Sequence, residues 1–356
     1  MTTMQKMTTG MNRQPPRGVQ KLNGLLAVVL ICLLGPAAMA SVRPIVNLPS
    51  TTTVEQIQDT LDSMTSGGEV VLAAGTYEVA KPIVLRHDNQ TLRGAGAATI
   101  LRLAAKANCP VIVLGAPKQS ITRVTSHLRV ADLFIDGNRA NQDRELWGSA
   151  ADGSVLNNNG IDIWSVSDAV VEHVVCCSCR SGGLVAAEAK HIEVRDFTAY
   201  DNEFDGLACY YTEDSHFAGL NLHDNLAAGI SLDLSFQHNV IENATISGND
   251  LGIFMRDSRD NVFAGVTIES SRNHGVFMAE SGIGTEKGWK SDPGTACTNN
   301  KFVAPVVSNC GGYGFLINDA SCTNNLVSDG RFENDKAGGL FQMAAKAAEA
   351  VNLAMP

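Results

Sequence analysis

Apolar residues recur along this chain in pairs two positions apart, and each leading pair follows a glycine. Gly160, Gly183, Gly206, Gly229, Gly252 and Gly275 are spaced by 23 residues and open the phrases GIDIW, GLVAA, GLACY, GISLD, GIFMR and GVFMA. Gly314 in GFLIN and Gly339 in GLFQM continue the series after 39 and 25 residues. With each glycine as position zero, positions +1 and +3 hold Ile161/Ile163, Leu184/Ala186, Leu207/Cys209, Ile230/Leu232, Ile253/Met255 and Val276/Met278. All are apolar or cysteine. Alternation at period two is the mark of a strand with one face in a core.

Two further apolar pairs follow in each repeat, such as Ile192/Val194 and Phe197/Ala199, and polar turns such as Asp201-Asn202 and Asp224-Asn225 close it. Three short strands in 23 residues leave no room for a helix. The pattern predicts an all-β fold, a single-stranded right-handed parallel β-helix with one coil per repeat and coils about 4.8 Å apart. A leucine-rich repeat is the rival, since Phe217-x-x-Leu220-x-Leu222-x-x-Asn225 fits its consensus. It would not need the constant glycine-led strand.

The opening of the repetitive region carries a resemblance. Thr53–Met64 reads as an amphipathic helix with Val54, Ile57 and Leu61 on one face and a threonine cap. GGEVVLAAGTYEV (67–79), LRHDNQTLRGAG (85–96), ATILRL (98–103) and FIDGNRANQ (134–142) follow. These resemble pectate-lyase-like β-helix proteins over roughly residues 50–340. The resemblance implies that the helix plugs the first coil. It leaves function open, because such proteins include lyases, hydrolases, epimerases, tailspikes and structural proteins.

Composition adds the location. Leu25–Leu34 is a ten-residue apolar run, preceded by Lys6, Arg13, Arg17 and Lys21 and followed by Ala38-Met39-Ala40. That is a signal peptide over residues 1–40, too short in its apolar part to span a bilayer. The expected organisation is a cap-helix region at 41–66, the β-helix at 67–340 and a C-terminal cap at 341–356. A secreted or periplasmic protein, with no membrane contact after cleavage, is implied. Removing the leader's four bases leaves 23 basic against 37 acidic residues, a net charge of -14. Such a surface repels phosphate backbones, so nucleic acid is excluded as a partner.

Two insertions interrupt the period, residues 139–159 before the Gly160 strand and 281–296 after the Gly275 strand. Long loops in a compact repeat are usually functional, and these two would wall a groove over one sheet. The outward positions +2 and +4 of that sheet are Asp162/Trp164, Val185/Ala187, Ala208/Tyr210, Ser231/Asp233, Phe254/Arg256 and Phe277/Ala279. Four of these twelve are aromatic in a chain that is 6% aromatic. Trp147 and Trp289 lie on the insertions. Aromatic plates suit sugar rings, so Asp162, Trp164, Phe254, Phe277, Trp147 and Trp289 are the candidate substrate-binding residues. Trp164 and Tyr210 are expected to be exposed. Burial of the phenylalanines beneath the loops is the competing expectation.

The +4 column stacks Tyr210, Asp233 and Arg256 on consecutive coils. A lyase or epimerase acting on a uronic acid needs a cation for the carboxylate and a base for the adjacent C–H proton. Arg256 supplies the first, and Tyr210 or Asp233 the second. Asp205 and His274, at position -1, stand in reserve, although Leu251 in that column suggests that it turns inward. An exposed Asp–Arg ladder would add little to folding.

Several motifs are missing. Asn158-Asn159-Gly160, Phe204-Asp205-Gly206 and Asn273-His274-Gly275 only echo those of polygalacturonase-like hydrolases, and no Asp-Pro-His of alginate epimerases occurs. No cofactor is called for; calcium stays open as an alternative, although no calcium nonapeptide is present. His173-x-x-Cys176-Cys177-x-Cys179 reads as stacked inward cysteines or a disulfide rather than a metal site. Ala-Cys-Thr-Asn-Asn (296–300) recurs as Ser-Cys-Thr-Asn-Asn (321–325), which places Cys297 and Cys322 on adjacent coils as a disulfide or a reduced pair. The favoured expectation is an exported protein that binds an extracellular acidic polysaccharide and acts as a lyase or epimerase. The alternatives are a non-catalytic adhesin or envelope structural protein, and a glycoside hydrolase.

Overall fold

A computed structural model describes residues 43–116, 123–144, 158–280 and 296–342. The leader at 1–40, the C-terminal cap, Trp147, Trp289 and most of both insertions lie outside the described residues.

The glycine-led strands pair in parallel, in the register that the 23-residue period predicts. Ile161, Leu184, Leu207, Ile230, Ile253 and Val276 are successive partners in one ladder, and all are fully buried. The ladder runs back to Ile112 and Ile83 and forward to Phe315 and Leu340. It therefore crosses the longer repeat without a slip, because a one-residue shift would turn its whole apolar set outward.

Two more inward ladders complete each coil. One passes through Val130, Val171, Val194, Phe217, Ile241, Phe263 and Phe302. The other passes through Ile135, Cys176, Ala199, Leu222, Ile246, Ile268 and Val307. The chain is a right-handed parallel β-helix whose three sheets enclose one continuous core. Strands also bend round corners, and Leu184–Tyr200 pairs in turn with Leu207–Glu213, His216–Ala218 and Asn221–His223.

The corners are made by residues in the left-handed conformation. Asp168, His191, Asp214, His238, Asp260, Asn299 and Asn324 all have φ between 51° and 58°. Short polar side chains tolerate that region best, which explains why histidines and aspartates sit where the sequence shows polar turns. Beside the corners, asparagines point inward. Asn202, Asn225 and Asn249 form one buried ladder, with Asn225 Oδ1 accepting from both the backbone N–H and Nδ2 of Asn202, at 3.3 and 2.9 Å. Asn239, Asn261, Asn300 and Asn325 form a second. Each ladder satisfies backbone groups that a tight turn inside a core would otherwise orphan.

The helix Val54–Ser63 packs its buried face into the core beside the first coil. Thr53 caps it, accepting from the Gln56 N–H while Gln56 Oε1 accepts from the Thr53 N–H at 2.9 Å. Val54, Ile57 and Leu61 enter the core. Gln58 pairs with the backbone of Val84 in both directions, at 2.7 and 3.1 Å, so the helix is tied to the edge of strand Ile83–Leu85 that an open sheet would expose.

Candidate functional site

The outward face of the glycine-led sheet divides into two halves. In the first, Asp162, Trp164, Val185, Ala187 and Ala208 are all buried. Trp164 is 5% exposed and Asp162 4%, so the expectation of an open indole plate and a substrate-facing carboxylate there is corrected. Trp164 lies in register between Gly115 and Ala187. Asp162 is held from within by Asn159, whose Nδ2 donates to its Oδ1 at 2.6 Å. In the second half Tyr210, Phe254, Arg256 and Phe277 are half-buried and reach the surface. The accessible part of the face begins at Tyr210.

There the +4 column comes together. Tyr210 is the register partner of Asp233, and Arg256 Nη2 donates to Asp233 Oδ2 from the following coil. Asp233 Oδ1 accepts from the backbone N–H of Leu234 at 2.8 Å. Both carboxylate oxygens are thus engaged, which makes Asp233 an anchor for Arg256 rather than a free base. Burial raises the Asp233 carboxyl above the usual range, with Arg256 opposing the shift. The Arg256 guanidinium sits 5.0 Å from the Phe254 ring centroid. Its Nε is buried with no hydrogen-bond partner, and so keeps an unspent donor.

Burial first, and then the charges of Asp205 and Asp233, push the Tyr210 hydroxyl well above its usual range, with Arg256 opposing. Tyr210 is therefore a neutral hydroxyl at ordinary pH. The residues that follow it and Asp233, Tyr211 and Leu234, have φ of 47° and 53°. Bulky side chains are costly in that region, so the site sits against a strained corner.

The reserve residues separate. Asp205 is buried, and its Oδ1 accepts from the Ala228 N–H at 2.9 Å. His274, three coils further along the same column, is half-buried on the surface side. Its Nδ1 accepts from the Tyr313 N–H at 2.9 Å, which places a neutral ring's proton on Nε2. Burial lowers the His274 pKa and keeps the ring neutral.

His274 belongs to an aromatic row. Phe254 and Phe277 are parallel within 4° at 5.8 Å, His274 lies 5.9 Å from Phe277 and 6.0 Å from Tyr313, and Tyr313 lies 5.1 Å from Phe341. Phe254 and Phe277 thus lean on each other instead of standing as separate plates. A centroid distance that long between parallel rings means that they are slipped, so each leaves part of a face free. Tyr313 and Phe341 escape the sequence reading because the outward positions are followed only as far as the Gly275 strand. Counting from Gly314 and Gly339 as zero would have found them.

Cys297 and Cys322 are both buried, and burial pushes the Cys297 thiol well up. His173 lies outside, with Nδ1 3.2 Å from Asp132 and Nε2 3.5 Å from Asp196, while Cys176 and Cys179 are fully buried. The apparent His-Cys-Cys-Cys cluster is split between surface and core by the strand.

Two family models match, "Right handed beta helix region" over residues 234–352 and "Periplasmic copper-binding protein (NosD)" over residues 137–287. Mannuronan C5-epimerase AlgE4 of Azotobacter vinelandii is 28% identical over 159 residues, a stretch that spans 42% of this chain and only 28% of that protein. Among solved structures, endo-xylogalacturonan hydrolase from Aspergillus tubingensis is similar with a TM-score of 0.54 and 13% identity, covering 87% of this chain and 93% of that one. PfbA, a surface adhesin of Streptococcus pneumoniae, is similar with a TM-score of 0.52 and 12% identity, covering 81% and 77%. The chain is a right-handed parallel β-helix protein. At these identities the structural likeness establishes the fold alone, and its neighbours include both an enzyme and an adhesin.

The copper in one family's description finds no matching set of donors among the described residues. Copper needs converging imidazole, thiolate or thioether ligands. Among the described residues no three His, Cys, Asp or Glu side chains are so grouped. Cys176, Cys209, Met255 and Met278 lie in the core, and His191 and His238 pair with carboxylates at the corners.

Proposed function

We propose that this chain is an exported protein that binds an acidic polysaccharide over the half-open face from Tyr210 to Phe277 and acts on it as a lyase or epimerase. The observation that carries this reading is the meeting of Tyr210, Asp233 and Arg256 on consecutive coils, beside slipped aromatic rings. Arg256 is the one base among the twelve outward positions. In an acidic protein, an anionic sugar needs such a local cation. The matched mannuronan epimerase and the word "periplasmic" in a family description point the same way on substrate class and location.

The chemistry runs in one line. Arg256, held by Asp233, faces the uronate carboxylate. The proton on the adjacent carbon leaves to the Tyr210 oxygen in the small fraction that has lost its own proton, and the C–H pair spreads into the carboxylate, where Arg256 offsets the growing charge. Return of a proton to the opposite face epimerises the sugar. Loss of the neighbouring glycosidic oxygen, which departs with its own C–O bonding pair and takes up a proton, cleaves the chain while the spread pair returns to form the double bond.

A panel of uronate polymers followed by absorbance of unsaturated ends, with NMR of product sugars, tests this. Arg256→Lys keeps the charge and loses the planar fork, and is expected to lower turnover at least about tenfold while the protein stays folded. Binding to none of the panel would refute the polysaccharide reading. The adhesin reading is favoured by the burial of Trp164 and Asp162, which closes half the face. It predicts glycan binding without product.

A further inference from the structure

The outward face of the glycine-led sheet is open in one direction only. Toward the N-terminal coils, Ala208, Val185 and Trp164 are 2%, 7% and 5% exposed. Toward the C-terminal coils, Phe254, Phe277, Leu316 and Phe341 follow one another in register, a span of three coil spacings, or about 14 Å. Phe254 begins this column beside the Arg256 guanidinium. Phe341 ends it at 40% exposed, and no other aromatic among the described residues is as open. A polymer that lies along the coil axis with one uronate at Arg256 therefore finds surface only toward Phe341.

His274 and Tyr313 flank that column on neighbouring coils. Their rings continue the stack, His274 at 5.9 Å from Phe277 and 6.0 Å from Tyr313, and Tyr313 at 5.1 Å from Phe341. Glycine makes room for both. A Cβ on Gly312 would meet His274 Nδ1 at 2.4 Å, and Gly338, the register partner of Tyr313, would meet the Tyr313 ring at 3.6 Å. Among the described residues, the His274 ring makes one hydrogen bond, through Nδ1, and the Tyr313 hydroxyl makes none. Two polar protons thus remain unused between apolar ring faces.

A sugar ring matches that alternation, with a C–H face to lie on an aromatic plate and oxygens at its edge to accept protons. An apolar protein surface seated here would instead bury both donors unpaired, at a cost for each. We propose that Phe277, His274, Tyr313 and Phe341 form a row of sugar subsites, holding the pyranose rings that follow the uronate at Arg256. His274 Nε2 and the Tyr313 hydroxyl donate to oxygens of those sugars. This rests on the polysaccharide reading above and adds the direction in which the polymer lies.

The test uses the full chain with mannuronate and galacturonate disaccharides and hexasaccharides. Calorimetry on the parent should give a hexasaccharide affinity at least about tenfold above that of the disaccharide. Phe341→Ala and Tyr313→Leu should each remove most of that gain. Nitrogen-15 NMR of the histidine rings in the parent gives a second reading that does not depend on a variant folding. The hexasaccharide should move the His274 Nε2 signal further than the disaccharide does. A hexasaccharide that binds no tighter than the disaccharide, a gain that survives both substitutions, or an unmoved His274 signal overturns the row and leaves the Arg256 site standing. Binding of neither sugar length refutes the polysaccharide reading and the row with it. A dimer in sedimentation that Phe341→Ala separates would assign the row to a second copy of the chain, and would likewise overturn the proposal.

Discussion

At the scale of single residues, Arg256 and Asp233 show how burial changes the meaning of a pair. Read from the sequence, they form an exposed ladder whose loss would cost little. In the structure the Asp233 side chain is 4% exposed and the Arg256 side chain 25%. Arg256→Ala therefore strands a buried carboxylate, and is expected to cost about 2–3 kcal/mol in urea unfolding, below the full penalty for a wholly buried pair. Adding Asp233→Asn should recover much of that loss. A cost under about 0.5 kcal/mol would return the pair to the surface-ladder reading. The column itself was legible because a fixed period assigns every outward position to a stack. Its exposure was not, because accessibility depends on what lies over a sheet.

At the scale of elements, the corners and asparagine ladders hold the coils to one another. The turns Asp201-Asn202 and Asp224-Asn225 look alike in sequence, but their two residues have opposite jobs. Asp201 and Asp224 take left-handed φ of 55° and 54° on the outside, while Asn202 and Asn225 are fully buried. Asn225 accepts from Asn202, donates to Asn249 and also donates to the Ala199 carbonyl at 3.2 Å. Asn225→Ala leaves buried groups on three coils unpaired, and about 2–4 kcal/mol of destabilisation is expected. Equilibrium unfolding measures it. A change below about 0.5 kcal/mol would show that the ladder is filled from elsewhere, for instance by water.

At the scale of the whole molecule, charge opposes the ligand proposed for it. A net charge of -10 on the full chain repels a polyanion, and Arg256 attracts it only locally. Long-range repulsion is screened within about 10 Å at 0.1 M salt, whereas a contact beside a half-buried guanidinium is screened less. Association with a uronate polymer should therefore speed up as salt rises from about 0.01 to 0.1 M. Stopped-flow rates that fall across that range would mean that a basic surface, not Arg256, captures the ligand.

The sequence alone determined the coil. Period two in apolar residues set which face of each strand turns inward, and period 23 set which residues become neighbours in the ladder from Ile161 to Val276. Both are local regularities that repeat until no other register buries the same side chains. Only the tertiary structure decided which outward residues meet solvent. It buried Trp164, left Tyr210 and Arg256 half-open, set Asp205 against neutral donors and linked His274 to Tyr313 across a break in the repeat. Those outcomes depend on three-dimensional cover and on partners 23 to 39 residues away in the chain, which no periodicity in one strand encodes.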